Sequence, residues 1–143
     1  MLIKRGKILS TAKTPEIFLT PDGVLVIKGR WMMENSARFS MILSDWYDEY
    51  IFDLTEISSI DVYLEYFSGV NLFILISFLR KILCSKLIHQ QIPINWYYEE
   101  GDEDILDLGE YISSYLGTTF NFILVSDNSN QIIFTEKQTR RAI

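Results

Sequence analysis

Histidine and cysteine are nearly missing from this chain of 143 residues, which has one of each. A lone cysteine, Cys84, excludes an internal disulfide and suits a reducing cytoplasm, the expected location. It falls in a strongly apolar helical segment, so a core thiol is expected. His89, the lone histidine, has no second histidine or cysteine pair near it. It reads as a residue at a helix end rather than a metal ligand or base. No glycine-rich phosphate loop, metal-ligand spacing or credible serine triad is present. Positive charge is in deficit: 13 Lys and Arg face 19 Asp and Glu, for a net charge of −6 and a pI of about 4.7. Nucleic acid and anionic membrane are therefore poor partners. The longest apolar-rich run, residues 70–79, stops at Arg80-Lys81 and is too short to cross a bilayer. Lys4, Arg5 and Lys7 are followed by no apolar core, so the beginning of the chain does not read as a secretory signal. Repeats, linkers and low-complexity tracts are lacking too. What remains is 48% hydrophobic and 14% aromatic, enough for one domain with a real core.

The pattern alternates strand and helix. Residues 16–20 and 24–29 form two short β runs around Pro21-Asp22-Gly23, a natural hairpin turn. Asn35 or Ser36 then caps a helix whose apolar positions, Phe39, Ile42, Leu43, Trp46 and Tyr50, make one stripe. A third strand over 60–67 places Ile60, Val62, Leu64 and Tyr66 on one face. A second helix runs from about 71 to 90, and a fourth strand spans 92–98. A third helix begins near Asp102 with Ile105, Leu108, Ile112 and Leu116 along one side and Gly117 at its end. Residues 119–126 make a fifth strand. The order β-β-α-β-α-β-α-β predicts a single α/β domain over 1–126, with a mixed five-stranded sheet, three main helices and the hairpin as an antiparallel edge. That order is similar to the STAS fold.

Two segments invite a functional reading. Ile94-Asn95-Trp96-Tyr97-Tyr98 turns abruptly into Glu99-Glu100-Gly101-Asp102-Glu103-Asp104. The acids could hold a hard cation or do acid–base chemistry, which would make a metal-dependent enzyme. The spacing is not that of an EF-hand, and capping of the next helix accounts for most of the charge. As a docking edge for a basic partner surface, Glu99, Glu100, Asp102 and Glu103 stand as candidates. The second helix, from Leu72 and Phe73 to Ile88, has little polar face. Either it is buried on two sides, or Phe73 and Ile74 meet another protein, including a second copy in a homodimer. Beyond Ser126, residues 127–143 carry turn chemistry at Asp127-Asn128-Ser129-Asn130, a candidate short strand over 131–135 and a basic end with Lys137, Arg140 and Arg141. This extension is either frayed or a hairpin covering the sheet edge or reaching a second subunit.

Ordered blocks over residues 11–125 resemble the SiaC-type regulatory phosphoproteins of bacteria. They are Thr14-Pro15-Glu16 with Pro21-Asp22-Gly23 and Gly29-Arg30; Glu34-Asn35-Ser36 with Trp46-Tyr47-Asp48-Glu49-Tyr50; and Leu64-Glu65-Tyr66-Phe67. Asn95-Trp96-Tyr97-Tyr98-Glu99-Glu100 follows, with Asp102-Glu103-Asp104, Gly109-Glu110 and finally Phe120-Asn121. The resemblance implies a non-enzymatic partner-switching adaptor without a cofactor, phosphorylated by a dedicated kinase and dephosphorylated by a metal-dependent phosphatase. In one branch of the family the unphosphorylated form activates a diguanylate cyclase, so cyclic di-GMP signalling is the implied context. The implied phosphoacceptor is a threonine just after the Leu-Glu-Tyr-Phe strand, where phosphate meets free N–H groups of a helix start. Here Ser68-Gly69-Val70-Asn71 follows, with Gly69 in the threonine's place. Ser68 and Gly69 therefore read either as a plain turn or as a switch lost or moved to Ser68, leaving a constitutive or self-associating binder.

Overall fold

A computed structural model describes residues 3–4, 6–34, 36–51, 57–84 and 91–126. Its strands are β1 (Ile3–Lys4), β2 (Lys7–Ile8), β3 (Glu16–Leu19), β4 (Val24–Trp31), β5 (Ser59–Phe67), β6 (Ile94–Glu99) and β7 (Asn121–Val125). Its helices are α1 (Ser36–Tyr50), α2 (Leu72–Leu83) and α3 (Glu103–Leu116), with one 3-10 turn, Gly69–Asn71, leading into α2. The fold is mixed α/β, as the alternation requires. Asn35, His89 and the expected end of the second helix lie outside the described residues, as does the extension over 127–143.

All the described strands join one sheet in the order β1-β2-β3-β4-β5-β6-β7. The first four run antiparallel to their neighbours, and β4 to β7 are parallel. Five strands were expected and seven are found among the described residues. The additional pair, β1 and β2, has two residues per strand, too few to show an alternating pattern. They also displace the β3–β4 hairpin from the sheet edge. The hairpin itself forms as read: Gly23, at φ +92°, donates its N–H to the Thr20 carbonyl at 3.0 Å, and the Thr20 N–H donates to Val24 at 2.9 Å. A positive φ there is a conformation glycine adopts without steric cost.

Because every strand lies beside its predecessor, the sheet grows in one direction. Right-handed crossovers then put α1, α2 and α3 on the same face. The core bears this out. Leu25, Ile27, Ile60, Val62, Leu64, Ile94 and Trp96 cluster with Phe39, Leu43, Trp46 and Tyr47 of α1, Leu75, Ile76, Phe78, Leu79 and Ile82 of α2, and Ile105 and Ile112 of α3. Tyr47 is off the expected stripe but buried, edge-on to Phe78 of α2 with ring centroids 6.4 Å apart. Among the described residues, the opposite face holds a second cluster of strand side chains: Val24, Val26, Tyr97 and Val125, flanked by Phe18, Tyr63 and Ile123.

The β4–β5 register breaks once. Gly29 pairs with Leu64 and Arg30 with Tyr66, so Glu65 is an extra residue in β5. A bulge of this kind turns the residues that follow it to the opposite face. Tyr66, expected beside Ile60 and Leu64 in the core, is 48% exposed. Phe67 points inward instead, its ring 5.6 Å from that of Trp31.

Candidate functional site

The parallel strands deliver their carboxyl ends to one edge, where both sequence-singled segments lie. After β5 the chain is held tightly. The Ser68 N–H donates to the Trp31 carbonyl at 2.8 Å, and the Asn71 N–H donates to the Ser68 carbonyl at 2.9 Å. Asn71 is fully buried and its Nδ2 donates to Met33 at 3.2 Å and to Ser68 at 3.3 Å. The turn between β5 and α2 is thus stapled to the exit of β4. Ser68 has extended backbone and its hydroxyl makes no capping bond to the turn that follows.

Gly69 begins the turn at the surface. Its φ is not among the positive values, and a Cβ built there would meet nothing within 4 Å. Neither conformation nor space demands glycine. Three large apolar side chains lie close to it in the chain and face solvent: Tyr66, Val70 and Phe73, the last two 64% and 70% exposed. The Arg30 guanidinium lies 6.0 Å from the centre of the Tyr66 ring. Of the two α2 candidates only Phe73 is truly outward. Ile74 is half-buried, packs on the core and lines a cavity of about 140 Å³ between α1 and α2 with Ser40, Leu43, Ser44, Ser77, Phe78 and Lys81. Lys81 closes that cleft by donating to Ser44 Oγ at 2.9 Å and pairing with Asp48 at 3.0 Å. Tyr66 and Val70 escaped sequence reasoning. Tyr66 was masked by the bulge, whereas an unpatterned valine in the turn was a signal available for Val70.

The acidic segment resolves into separate tasks. Asp102 Oδ1 accepts the Ile105 N–H at 3.2 Å and caps α3, while Glu103 and Asp104 are exposed in the first turn, where carboxylates suit the helix dipole. Glu99 accepts a hydrogen bond from the Tyr63 hydroxyl at 2.7 Å. Burial, helped by this bond and the negative charge of Glu99, raises the Tyr63 hydroxyl above its ordinary range. Glu100 is exposed. Among the described residues no group of three or more His, Cys, Asp and Glu is placed to hold a metal ion. Cys84, expected in the core, is exposed. The physical reason is that α2 ends at Leu83, which leaves Cys84 as its C-cap.

One acid was missed by sequence reasoning. Asp61, the third residue of β5, is fully buried on the face away from the helices. Asn95 Nδ2 donates to its Oδ1 at 2.8 Å, and Asn121 Nδ2 donates to Asn95 at 3.0 Å, making a polar row across β5, β6 and β7. Burial pushes the Asp61 carboxyl up to about 6; the charge of Asp22 adds to this and hydrogen bonding by Asn95 and Tyr97 opposes it. The alternation of the strand hid Asp61, since polar positions of a half-buried strand normally face water.

With this geometry in view, comparison with known proteins is decisive for the family. A family model described as SiaC family regulatory phosphoprotein matches residues 8–125. The chain belongs to the SiaC family. Solved structures share the fold of this SiaC-family chain at 20% identity. One is a chain in the complex of the diguanylate cyclase SiaD with its activator SiaC from Pseudomonas aeruginosa, with a TM-score of 0.65 over 84% of this chain and 98% of that one. SiaC of Pseudomonas aeruginosa gives 0.62 over 84% and 96%, and apo-SiaC from the same organism 0.61 over 82% and 95%. Comparison with curated proteins gives no match. The SiaC-family chain has no described helix long and apolar enough to cross a membrane.

Proposed function

We propose that this protein is a non-enzymatic regulatory adaptor that binds and controls a signalling protein, with a diguanylate cyclase as the favoured target. It acts in the cytoplasm, within a pathway whose kinase and phosphatase act on other members of the family at the residue corresponding to Gly69. The observation that carries this reading is the apolar collar of Tyr66, Val70 and Phe73 near Gly69, exposed at a rigidly stapled turn. Exposed aromatic and aliphatic side chains on a rigid support are what hot spots of protein interfaces are made of. The relative of known structure that supports the choice of target is SiaC as the activator of SiaD. Glycine has no hydroxyl, so binding here is not gated at position 69.

The test pairs two variants with the cyclase from the same cell. Phe73→Asp is expected to weaken binding by calorimetry at least about tenfold, the scale of a lost hot spot. Gly69→Thr finds open space at its Cβ and is expected to gain one phosphate, by intact mass, on incubation with the pathway kinase and then to release the cyclase. The wild type gains none. Phosphate on wild-type Ser68 would overturn the ungated reading, and undiminished binding by Phe73→Asp would overturn the surface.

A second reading is favoured by Phe73 alone: the same collar joins two copies of the chain. Light scattering distinguishes it, since a strict monomer at high concentration excludes self-association while leaving the adaptor reading intact.

A further inference from the structure

Helix α3 presents a surface that neither the collar nor the cap at Asp102 accounts for. Tyr111 and Tyr115 are 53% and 49% exposed, and their rings lie 6.1 Å apart, tilted by 34°. Two large rings left together in water make a patch of the kind that marks a contact. Residues three or four apart share a helix face, so Asp104, Asp107, Tyr111 and Tyr115 form one stripe, about 16 Å long. Asp104 and Asp107 are exposed, as are Glu103 and Glu110 beside them. Helix α3 contains no lysine, arginine or histidine, and among the described residues no cation pairs with these four carboxylates. From α2, the Arg80 guanidinium lies 5.5 Å from the centre of the Tyr115 ring. The stripe is therefore acidic at its amino half and aromatic at its carboxyl half, where one guanidinium already meets a ring.

We infer that this stripe docks an arginine-bearing segment of a partner protein. Charge and ring chemistry together select that occupant. Unpaired carboxylates attract cations and set the register of a basic surface, and the faces of the two tyrosine rings attract cations in turn. Guanidinium satisfies both halves of the stripe. It grips a carboxylate through two parallel N–H groups and stacks flat on an aromatic face, whereas an ammonium is a compact, strongly hydrated charge. The last turn of α3 holds no basic residue, so the negative end of its dipole adds to the attraction. A second copy is a poor occupant, since each chain carries a net charge of −6 and two copies repel one another. The collar belongs to the β5–α2 turn and the stripe to α3, so the two contacts are separable by mutation.

The test uses the full chain and two probes: a short alanine-based helical peptide with arginine at every fourth position, and the same peptide with lysine instead. Fluorescence anisotropy at about 0.15 M salt, where long-range attraction is screened, is expected to show several-fold tighter binding of the arginine peptide. Tyr111→Ala/Tyr115→Ala leaves the charge unchanged and removes only exposed rings. It is expected to weaken the arginine peptide about tenfold and to erase the preference over lysine. Asp45→Asn/Glu49→Gln removes two exposed carboxylates of α1 and is expected to change binding little. Equal affinity for the two peptides, undiminished binding by the tyrosine variant, or an equal loss in the α1 variant overturns the inference, the last by reducing it to bulk charge. Sedimentation of the wild type is expected to show no association that the tyrosine variant abolishes; such association would assign the stripe to a second copy and overturn the proposal. Phe73→Asp is expected to bind the arginine peptide as the wild type does, so a failed collar and a failed stripe are told apart.

Discussion

Asp61 and Gly109 carry the sharpest consequences of single side chains. The Asp61 carboxyl is raised from 3.8 to about 6 in the folded protein, so the folded state takes up its proton more readily than the unfolded chain. Its contribution is fully present below the unfolded value and is lost as pH rises through about 6, a swing of about 3 kcal/mol. Asp61→Asn keeps an acceptor for Asn95 and removes the buried charge. It is expected to raise stability in urea titrations by about 1–3 kcal/mol at about pH 7.5, with the gain vanishing near pH 4. Gly109 points the other way. In an ordinary helix interior, alanine would add about 1 kcal/mol over glycine. Here the new Cβ would lie 2.5 Å from Trp96 Nε1. Trp96 cannot yield, because its Nε1–H donates to the Ile105 carbonyl at 2.9 Å and its ring stacks on Phe120. Gly109→Ala is expected to cost about 3 kcal/mol by overpacking, read as a lower denaturation midpoint. Sequence alone marks Gly109 as unusual for a helix. Only the packed tryptophan explains it.

At the scale of elements, the parts written in local chemistry were readable and the parts decided across strands were not. The third helix was legible at both ends. Asp102 caps it, and Gly117 closes it in the left-handed conformation at φ +69°. Asp102→Ala is expected to cost about 1 kcal/mol in thermal or urea unfolding while the fold persists. The hairpin at Pro21-Asp22-Gly23 was equally plain. The bulge at Glu65 was not, because a strand carries no sequence mark for one extra residue; its register partner on β4 decides. That bulge turns Tyr66 outward and so helps make the candidate surface. The apolar run of α2 left its orientation open, since a helix hydrophobic all round gives no face away. Packing resolves it: Leu75, Ile76, Phe78, Leu79 and Ile82 go inward and Phe73 outward. Of the candidate site, the turn at Ser68-Gly69 and Phe73 were found from sequence. Its neighbours Tyr66 and Val70, the retreat of Ile74 and the buried Asp61 required tertiary structure.

At the scale of the molecule, the described residues form a sheet with three helices on one side. In open α/β sheets, ligand crevices form where the strand order reverses and helices part to opposite faces. This sheet never reverses between β4 and β7. Among the described strands it therefore has no such switch point. The same layout explains why the acidic segment and the β5–α2 turn share an edge: parallel strands deliver all their exits to one end.

The unreversed strand order has a consequence for how the fold is assembled during synthesis. Each new strand finds its partner already made, so the sheet can lengthen one unit at a time as the chain leaves the ribosome. Pairing partners are always consecutive, and the loop closed at each step spans only a strand, a helix and their connections, which limits its entropic penalty. Until β7 is added, β6 is a bare edge with unpaired backbone groups, the kind of surface on which nascent chains stick to one another. Once β7 pairs, it takes the place of β6 as the outermost described strand, so the edge moves outward with each step of synthesis.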